Sequence, residues 1–294
     1  MSETEKNRVE GGTLYLVATP IGNLADMTER GVKVLTECDF IAAEDTRNTA
    51  GLLAYFGIRK ELVSYHEHNK KSRGGEITAR LESGESCALV TDAGMPAISD
   101  PGEDLVRLCG EKHIPVRIVP GACAAVSALA LSGLSTGRFA FEGFLSANRG
   151  ERKKRLEEIR TERRTLIFYE APHKLKTTLA DLLTVFGDRK LSLSRELTKR
   201  NEETVHTTTA EAVAYYETHE PRGEYVLVLA GAEETTGEGY HPPVDEDLLS
   251  LSPADHVAHY ESAGLARMDA IKAAARDRGM TKSELYRILT AEKA

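Results

Sequence analysis

The chain has 294 residues, room for two packed cores at about 100–200 residues each. With 41% hydrophobic and 29% charged residues it has the composition of a soluble protein, and no apolar run approaches the about 18 residues of a membrane-spanning helix. A formal charge of −8 argues against bulk, non-specific nucleic-acid binding but leaves room for a local basic patch. The opening MSETEKNRVEGG is too polar and acidic for a signal peptide, so a cytoplasmic location is expected. Cys38, Cys87, Cys109 and Cys123 lack CxxC spacing and read as buried thiols, with no metal site and no disulfide framework.

In chain order, residues 1–12 read as a disordered tail. Short apolar runs follow at 13–18, 39–43, 61–65, 86–90 and 116–120, rich in Val, Ile, Leu and Tyr, and these predict largely buried strands. Helical spacing covers Thr28–Cys38, Thr46–Phe56, Ser72–Ser83 and Gly102–Lys112. Strand and helix alternate, which predicts a mostly parallel sheet over 13–121. A small-residue helix at 122–133 leads into a second α/β set over 122–232, with strands at 139–145, 165–171, 190–197, 202–209 and 224–231 and some antiparallel character. The stretch 149–164, with eight cations and four carboxylates, predicts a solvated helix in preference to an RNA-facing one. Residues 233–250 are acidic, contain Gly and Pro, and read as a linker. Beyond them, 251–294 predict a small helical extension: Ser252-Pro253 opens one helix, Gly279 stops a second, and Thr281 to Glu284 have capping-box spacing. A helix, a Gly-containing turn and a helix resemble a helix-turn-helix. Lys272, Arg276, Lys282 and Arg287 are candidate RNA contacts or else the solvated face of a helical cap.

The stretch most suggestive of a site is TDAGMPAISDPG (91–102), between a strand and a helix, with two glycines, two prolines and two aspartates. Ligands of open α/β sheets bind outside such strand ends. TPIGNL (19–24) is a second turn at that edge, and neither GxGxxG nor GxxxxGK[ST] occurs, which argues against a conventionally held dinucleotide or nucleoside triphosphate. EDTR (44–47) either caps and pairs locally or lines a cleft. FYEAPH (168–173) and RELTKR (195–200) place polar groups at strand ends of the second half. No GxSxG elbow is present, which disfavours a hydrolase of that kind.

TPIGNL, AAEDTR, TDAGMPAISDPG, VPGACA, FYEAPH, RELTK and GEYVLVLAG occur in the order found in the tetrapyrrole-methylase-like family of S-adenosylmethionine enzymes, which the chain resembles over about residues 12–231, most closely in its rRNA-modifying branch. The resemblance implies a two-domain α/β fold of that family, with a mostly parallel first sheet, a mixed second sheet and a helical C-terminal extension. It implies S-adenosyl-L-methionine between the two halves, methyl transfer to a cytidine ribose 2′-hydroxyl in the decoding centre of 16S rRNA in the 30S subunit, and a homodimer. Carried over residue by residue, the cofactor positions are Pro20, Ile21, Ala93, Gly94, Met95, Pro96, Ile98, Cys123, Ala124, Tyr169 and Glu170. The family's Gly-Asp-Pro is here Gly-Met-Pro, and its Gly-rich first loop is Thr-Pro-Ile-Gly, which favours the rRNA branch over a porphyrin or corrin acceptor.

A ribose hydroxyl must lose its proton during or after attack. Asp45 and Glu196 are the leading acids to receive it, with Lys199 as receiver or relay, and Arg47 and Arg195 are expected to grip flanking phosphates. Which residue is the base stays open at this level. The alternatives are a precorrin or uroporphyrinogen acceptor on the same fold, and an RNA-binding relative without catalysis.

Overall fold

The computed structural model describes residues 8–232, 246–262 and 265–291. The tail expected at 1–12 and the linker expected at 233–250 fall partly outside them. The described ends of both are ordered: the Gly12 amide donates to the Gly84 carbonyl at 3.0 Å, and residues 246–250 are helical. The chain divides into two compact units at residue 234, and both sheets lie in the first.

Strands β1 (Leu14–Val17), β2 (Phe40–Ala43), β3 (Glu61–Ser64), β4 (Cys87–Val90) and β5 (Val116–Val119) form one sheet in the order β3-β2-β4-β1-β5, with every pairing parallel. The connecting helices are α1 (Glu29–Glu37), α2 (Thr46–Tyr55), α3 (Lys70–Glu82) and α4 (Gly102–Glu111). Because helices cover both faces, the central strands are apolar on every residue: Leu14, Phe40, Ala42 and Leu89 pack on one side, and Tyr15, Val17, Ile41 and Val90 on the other. The expectation of burial fails at β5. It is an edge strand, and three of its four residues are exposed, including Val116 and Ile118.

The second sheet contains β6 (Phe139–Phe144), β7 (Thr165–Glu170), β8 (Lys190–Arg195), β9 (Glu203–Thr208) and β10 (Tyr225–Leu229), in the order β6-β7-β10-β8-β9. Only β6 and β7 run parallel, so the sheet is mixed. Helix α5 (Ala124–Leu131) packs on the face carrying Ile167, Val226 and Val228. The opposite face, with Leu166, Phe168, Leu193 and Leu227, is covered by α6 (Arg149–Glu158), α7 (Pro172–Phe186) and α8 (Thr209–Thr218). The last two go beyond the elements expected from sequence. Proline at the first turn opens α7, and a Thr208/Glu211 capping box opens α8. The helix expected over 149–164 stops at Glu158, and it is not wholly solvated: Arg152 and Leu156 are buried.

The second unit contains α9 (Glu246–Ser250), α10 (Pro253–Ser262), α11 (Arg267–Asp277) and α12 (Lys282–Ala291) around Val257, Ile271, Ala274 and Leu285. Ser252 accepts the Asp255 amide, and Thr281 and Glu284 close a reciprocal cap. The imidazole of His256 is fully buried in this bundle: its Nδ1 accepts from Arg278 Nε at 3.1 Å, and its Nε2 lies 3.3 Å from the Asp277 carboxylate. Burial first, then the Arg278 guanidinium, lowers its pKa from the ordinary histidine value, with Asp277 opposing and His259 adding slightly. The neutral ring is therefore the folded form. Its contribution is complete above the ordinary value of about 6.5 and is lost as pH falls toward the lower folded value. Amide exchange in 253–291 should accelerate between about pH 7 and about pH 5 relative to the sheets once intrinsic rates are corrected. Unchanged protection would refute this, and His256→Gln should flatten the dependence.

Candidate active site

The carboxyl ends of the first sheet's strands and the strand ends of the second sheet enclose a cavity of about 440 Å³. Ile21 follows β1, Glu44 follows β2, residues 91–100 follow β4, and Cys123 and Ala124 follow β5. The second sheet contributes Tyr169, Ser194, Glu196, Lys199 and Val226.

The 91–102 loop is held open from behind. Asp100 accepts three backbone amides, from Ala97 at 3.0 Å, Ile98 at 3.2 Å and Gly102 at 2.7 Å. Its carboxylate is thereby occupied, and it stabilises left-handed backbone at Ala97 (φ 66°) and Ser99 (φ 63°), each of which costs about 1–3 kcal/mol. Gly94 (φ 82°) exchanges a pair of backbone hydrogen bonds with Thr19, of 2.9 and 3.0 Å, which tie this loop to the first one. Gly22 of the first loop lies against the second half: a Cβ there would sit 2.4 Å from Lys199 Cγ and 3.1 Å from the Leu197 carbonyl.

Of the expected cofactor residues, Ile21, Ala93, Gly94, Met95, Ile98, Cys123, Ala124, Tyr169 and Glu170 line the cavity, and Pro20 and Pro96 do not. Pro96 is buried behind the loop, and Pro20 faces a neighbouring cavity. Glu170 lines the wall, but its carboxylate is taken by the Ala171 amide and the Thr178 hydroxyl. Tyr169 packs between Phe141 and Phe144, and its hydroxyl accepts the Ala125 amide at 3.1 Å; burial pushes its pKa up to about 12.

The expected catalytic set divides. Asp45 caps α2 and forms a two-point pair with Arg47 (Nη2 to Oδ2 2.7 Å), outside the cavity, so EDTR divides: the local reading holds for Asp45 and Arg47, and Glu44 lines the cleft. The Arg47 hydrogen bond holds Asp45 at about 2, too acidic for a useful base. Glu196 and Lys199 are in the cavity wall, where Lys199 Nζ bonds Glu196 at 3.0 Å and Glu224 at 2.8 Å. Burial opposes the Lys199 charge, but the two carboxylates outweigh it and raise the ammonium above its ordinary value. The Lys199 bond in turn lowers Glu196. A lysine so held stays charged and does not receive a proton. Arg195 is corrected outright: side chains alternate along β8, so Ser194 faces the cavity and Arg195 the opposite side, where it pairs with Glu203 at 2.7 Å. In the helical unit Lys272, Lys282 and Arg287 are exposed, and the Arg276 side chain lies outside the described residues.

Thr91, Asp92 and Glu224 line the cavity without being among the expected site residues, and Glu44 does so as the cleft reading of EDTR has it. Thr91 donates to Glu44 at 2.6 Å, and Asp92 accepts the Asp45 amide at 3.2 Å. Partial desolvation, then the Glu44 charge, raises the pKa of Asp92, which is nonetheless exposed at the cavity. Asp92 sits in the very motif singled out, but its neighbour Glu44 is distant in sequence.

The profile of the family "Tetrapyrrole (Corrin/Porphyrin) Methylases" matches residues 13–213. The chain belongs to the tetrapyrrole methylase family. Among the methylase's relatives, "Ribosomal RNA small subunit methyltransferase I" of Halalkalibacterium halodurans is 48% identical over 288 residues, 97% of each chain. The protein of the same name from Synechocystis sp. is 46% identical over 278 residues, 94% of this chain and 97% of that one. A uroporphyrin-III C-methyltransferase from Thermus thermophilus, solved with S-adenyl homocysteine, has a TM-score of 0.53 at 22% identity and covers 74% of this chain and 97% of that one, which establishes the shared fold.

The cavity of this methylase fits S-adenosylmethionine on its own chemistry. Ile21, Met95, Ile98, Leu197 and Val226 offer apolar surface to an adenosine, and the carboxylates of Glu44, Asp92, Glu196 and Glu224 outnumber the Lys199 ammonium around a ligand of net positive charge.

Proposed function

We propose that this methylase transfers a methyl group from S-adenosylmethionine to rRNA, and specifically to the ribose 2′-hydroxyl of a cytidine in the 16S decoding centre of the 30S subunit, in the cytoplasm and as the homodimer that the resemblance implies. The observation that carries this reading is the acid-lined cavity enclosed by the strand ends of both sheets. Near-full-length identity to proteins named as rRNA methyltransferases supports RNA as the acceptor. A polycarboxylated macrocycle is the weaker alternative, since the same four carboxylates would repel it.

The bound cofactor supplies a methyl carbon made electrophilic by a sulfonium. Methyl transfer is an in-line displacement, so the protein contributes chiefly by position. The 91–102 loop, pinned by Asp100, presents its backbone from one side, and Ile21, Ala124 and Tyr169 form the remaining wall. Glu196, Lys199 and Glu224 hold a fixed charge arrangement at the rim.

Labelled S-adenosylmethionine and 30S subunits lacking the modification test the proposal: label recovered in a 2′-O-methylcytidine of 16S RNA supports it, and label in another nucleotide or none refutes it. Arg47 is 89% exposed beside the cavity and available to an RNA phosphate. Arg47→Ala should raise KM for 30S subunits by roughly tenfold, with cofactor affinity unchanged, and should lower the salt dependence of RNA binding by about one charge. An unchanged KM would remove Arg47 from the RNA surface.

A further inference from the structure

A second cavity, of about 300 Å³, opens beside the first between the 19–24 loop and α2. Its surface includes Pro20, Leu24, Asn48, Gly51 and Tyr55, and Thr91 and Asp92 belong to the walls of both cavities. Asp92 is thus open to a cofactor on one side and to a second ligand on the other. Tyr55 is 65% exposed and stands at right angles to Phe56, with ring centroids 5.0 Å apart. An aromatic ring so placed suits an unstacked base, and Asn48, whose side chain hydrogen-bonds Asp92, lines the same wall. Leu24 is exposed as well.

Gly51 keeps this wall low. It lies in the interior of α2, and a Cβ there would meet no atom of the chain within 4 Å, as is also true of the helical Gly75 and Gly110, so the surface of α2 at Gly51 is open to the cavity it lines.

Resting on the rRNA methyltransferase reading above, we propose that this second cavity seats the acceptor nucleoside, base against Tyr55 and ribose toward Asp92, and that Asp92 accepts the proton of the 2′-hydroxyl. In that step the hydroxyl oxygen forms a bond to the methyl carbon and the carbon–sulfur bond breaks, its electron pair remaining on sulfur. The proton passes to the Asp92 carboxylate and then to solvent. Charged groups near Asp92 are Glu44 at the end of β2 and Asp45 and Arg47 at the start of α2, with Glu196 and Lys199 in the wall of the shared cavity. Asp45 and Glu196 are held down by cations, and Asp92, exposed but partly desolvated, is raised by that desolvation and by Glu44.

Three readouts test this: calorimetric binding of S-adenosylmethionine, anisotropy of a fluorescent single-stranded oligonucleotide carrying the decoding-centre cytidine, and single-turnover methylation of unmodified 30S subunits. Gly51→Leu, an exposed helix-compatible change, should weaken oligonucleotide binding at least about tenfold while cofactor affinity stays within about threefold. Asp92→Asn should keep oligonucleotide affinity, weaken S-adenosylmethionine binding by no more than about threefold because Glu44, Glu196 and Glu224 remain, and lose about 100-fold or more in single-turnover rate at saturating cofactor, together with the acid limb of the pH–rate profile. Wild-type oligonucleotide affinity in Gly51→Leu overturns the subsite, and wild-type turnover in Asp92→Asn overturns the proton acceptor. If the wild type methylates no 30S subunit, the functional reading fails, and the oligonucleotide measurement alone still decides the subsite.

Discussion

Gly94→Val should weaken S-adenosylmethionine binding by about 100-fold or more, measured by calorimetry on the folded variant. Two costs combine. The backbone at φ 82° is open to glycine and strained for a β-branched residue, at about 1–3 kcal/mol. A Cβ would also stand 3.1 Å from Ile21 Cγ2 and 3.3 Å from the Ala122 carbonyl, so relief requires the 19–24 and 121–124 loops to separate. Both loops contribute cavity wall, through Ile21, Cys123 and Ala124, and the Thr19 hydrogen bonds to Gly94 would be drawn apart with them. Gly94→Ala shares the backbone strain but adds less bulk, and should lose about tenfold. Wild-type affinity in the valine variant would show that the loop junction does not shape the cofactor site.

Arg152→Met should destabilise the α/β unit by about 3–5 kcal/mol, a fall of roughly 10 °C in Tm by scanning calorimetry. Arg152 bridges α6 to α7 through a 2.7 Å bond from Nε to Asp181, and its Nη1 also donates to the Ser146 carbonyl at 3.0 Å. Both side chains are nearly inaccessible to water, at 8% and 12% exposure. Removing the guanidinium leaves a carboxylate enclosed without its cation, which costs far more than the pair contributes. The double change Arg152→Met with Asp181→Leu should therefore recover most of the loss. Equal Tm for the single variant and the wild type would mean that Asp181 finds water.

The alternation of apolar runs and helical stretches made both sheets legible in the sequence, because parallel strands covered on two faces cannot avoid continuous apolar composition. Loop 91–102 was legible for a local reason as well: glycines and prolines at set positions constrain backbone regardless of what surrounds them. What sequence could not supply was the facing of side chains. Arg195 and Glu196 are neighbours in RELTKR, yet only Glu196 lines the cavity, since strand alternation turns Arg195 to the α8 side. Asp45 and Asp92 present the opposite case: the aspartate beside an arginine drew attention, and it is that arginine which disables it as a base. The raised aspartate owes its state to partial desolvation and to Glu44, 48 positions away, which no local window reveals.

The walls of the cofactor cavity run in sequence from Ile21 to Val226, with Gly22 already resting on the Leu197–Lys199 turn. The strands of the first sheet have all been synthesised by Val119, but they carry only half a cavity. At about 5–20 residues per second, translation takes on the order of ten more seconds to deliver β10. During that interval the nascent chain has the residues of one wall but no enclosed place for the cofactor. Ligand-driven stabilisation therefore cannot help the first half to fold, and must act only once the second half has been made.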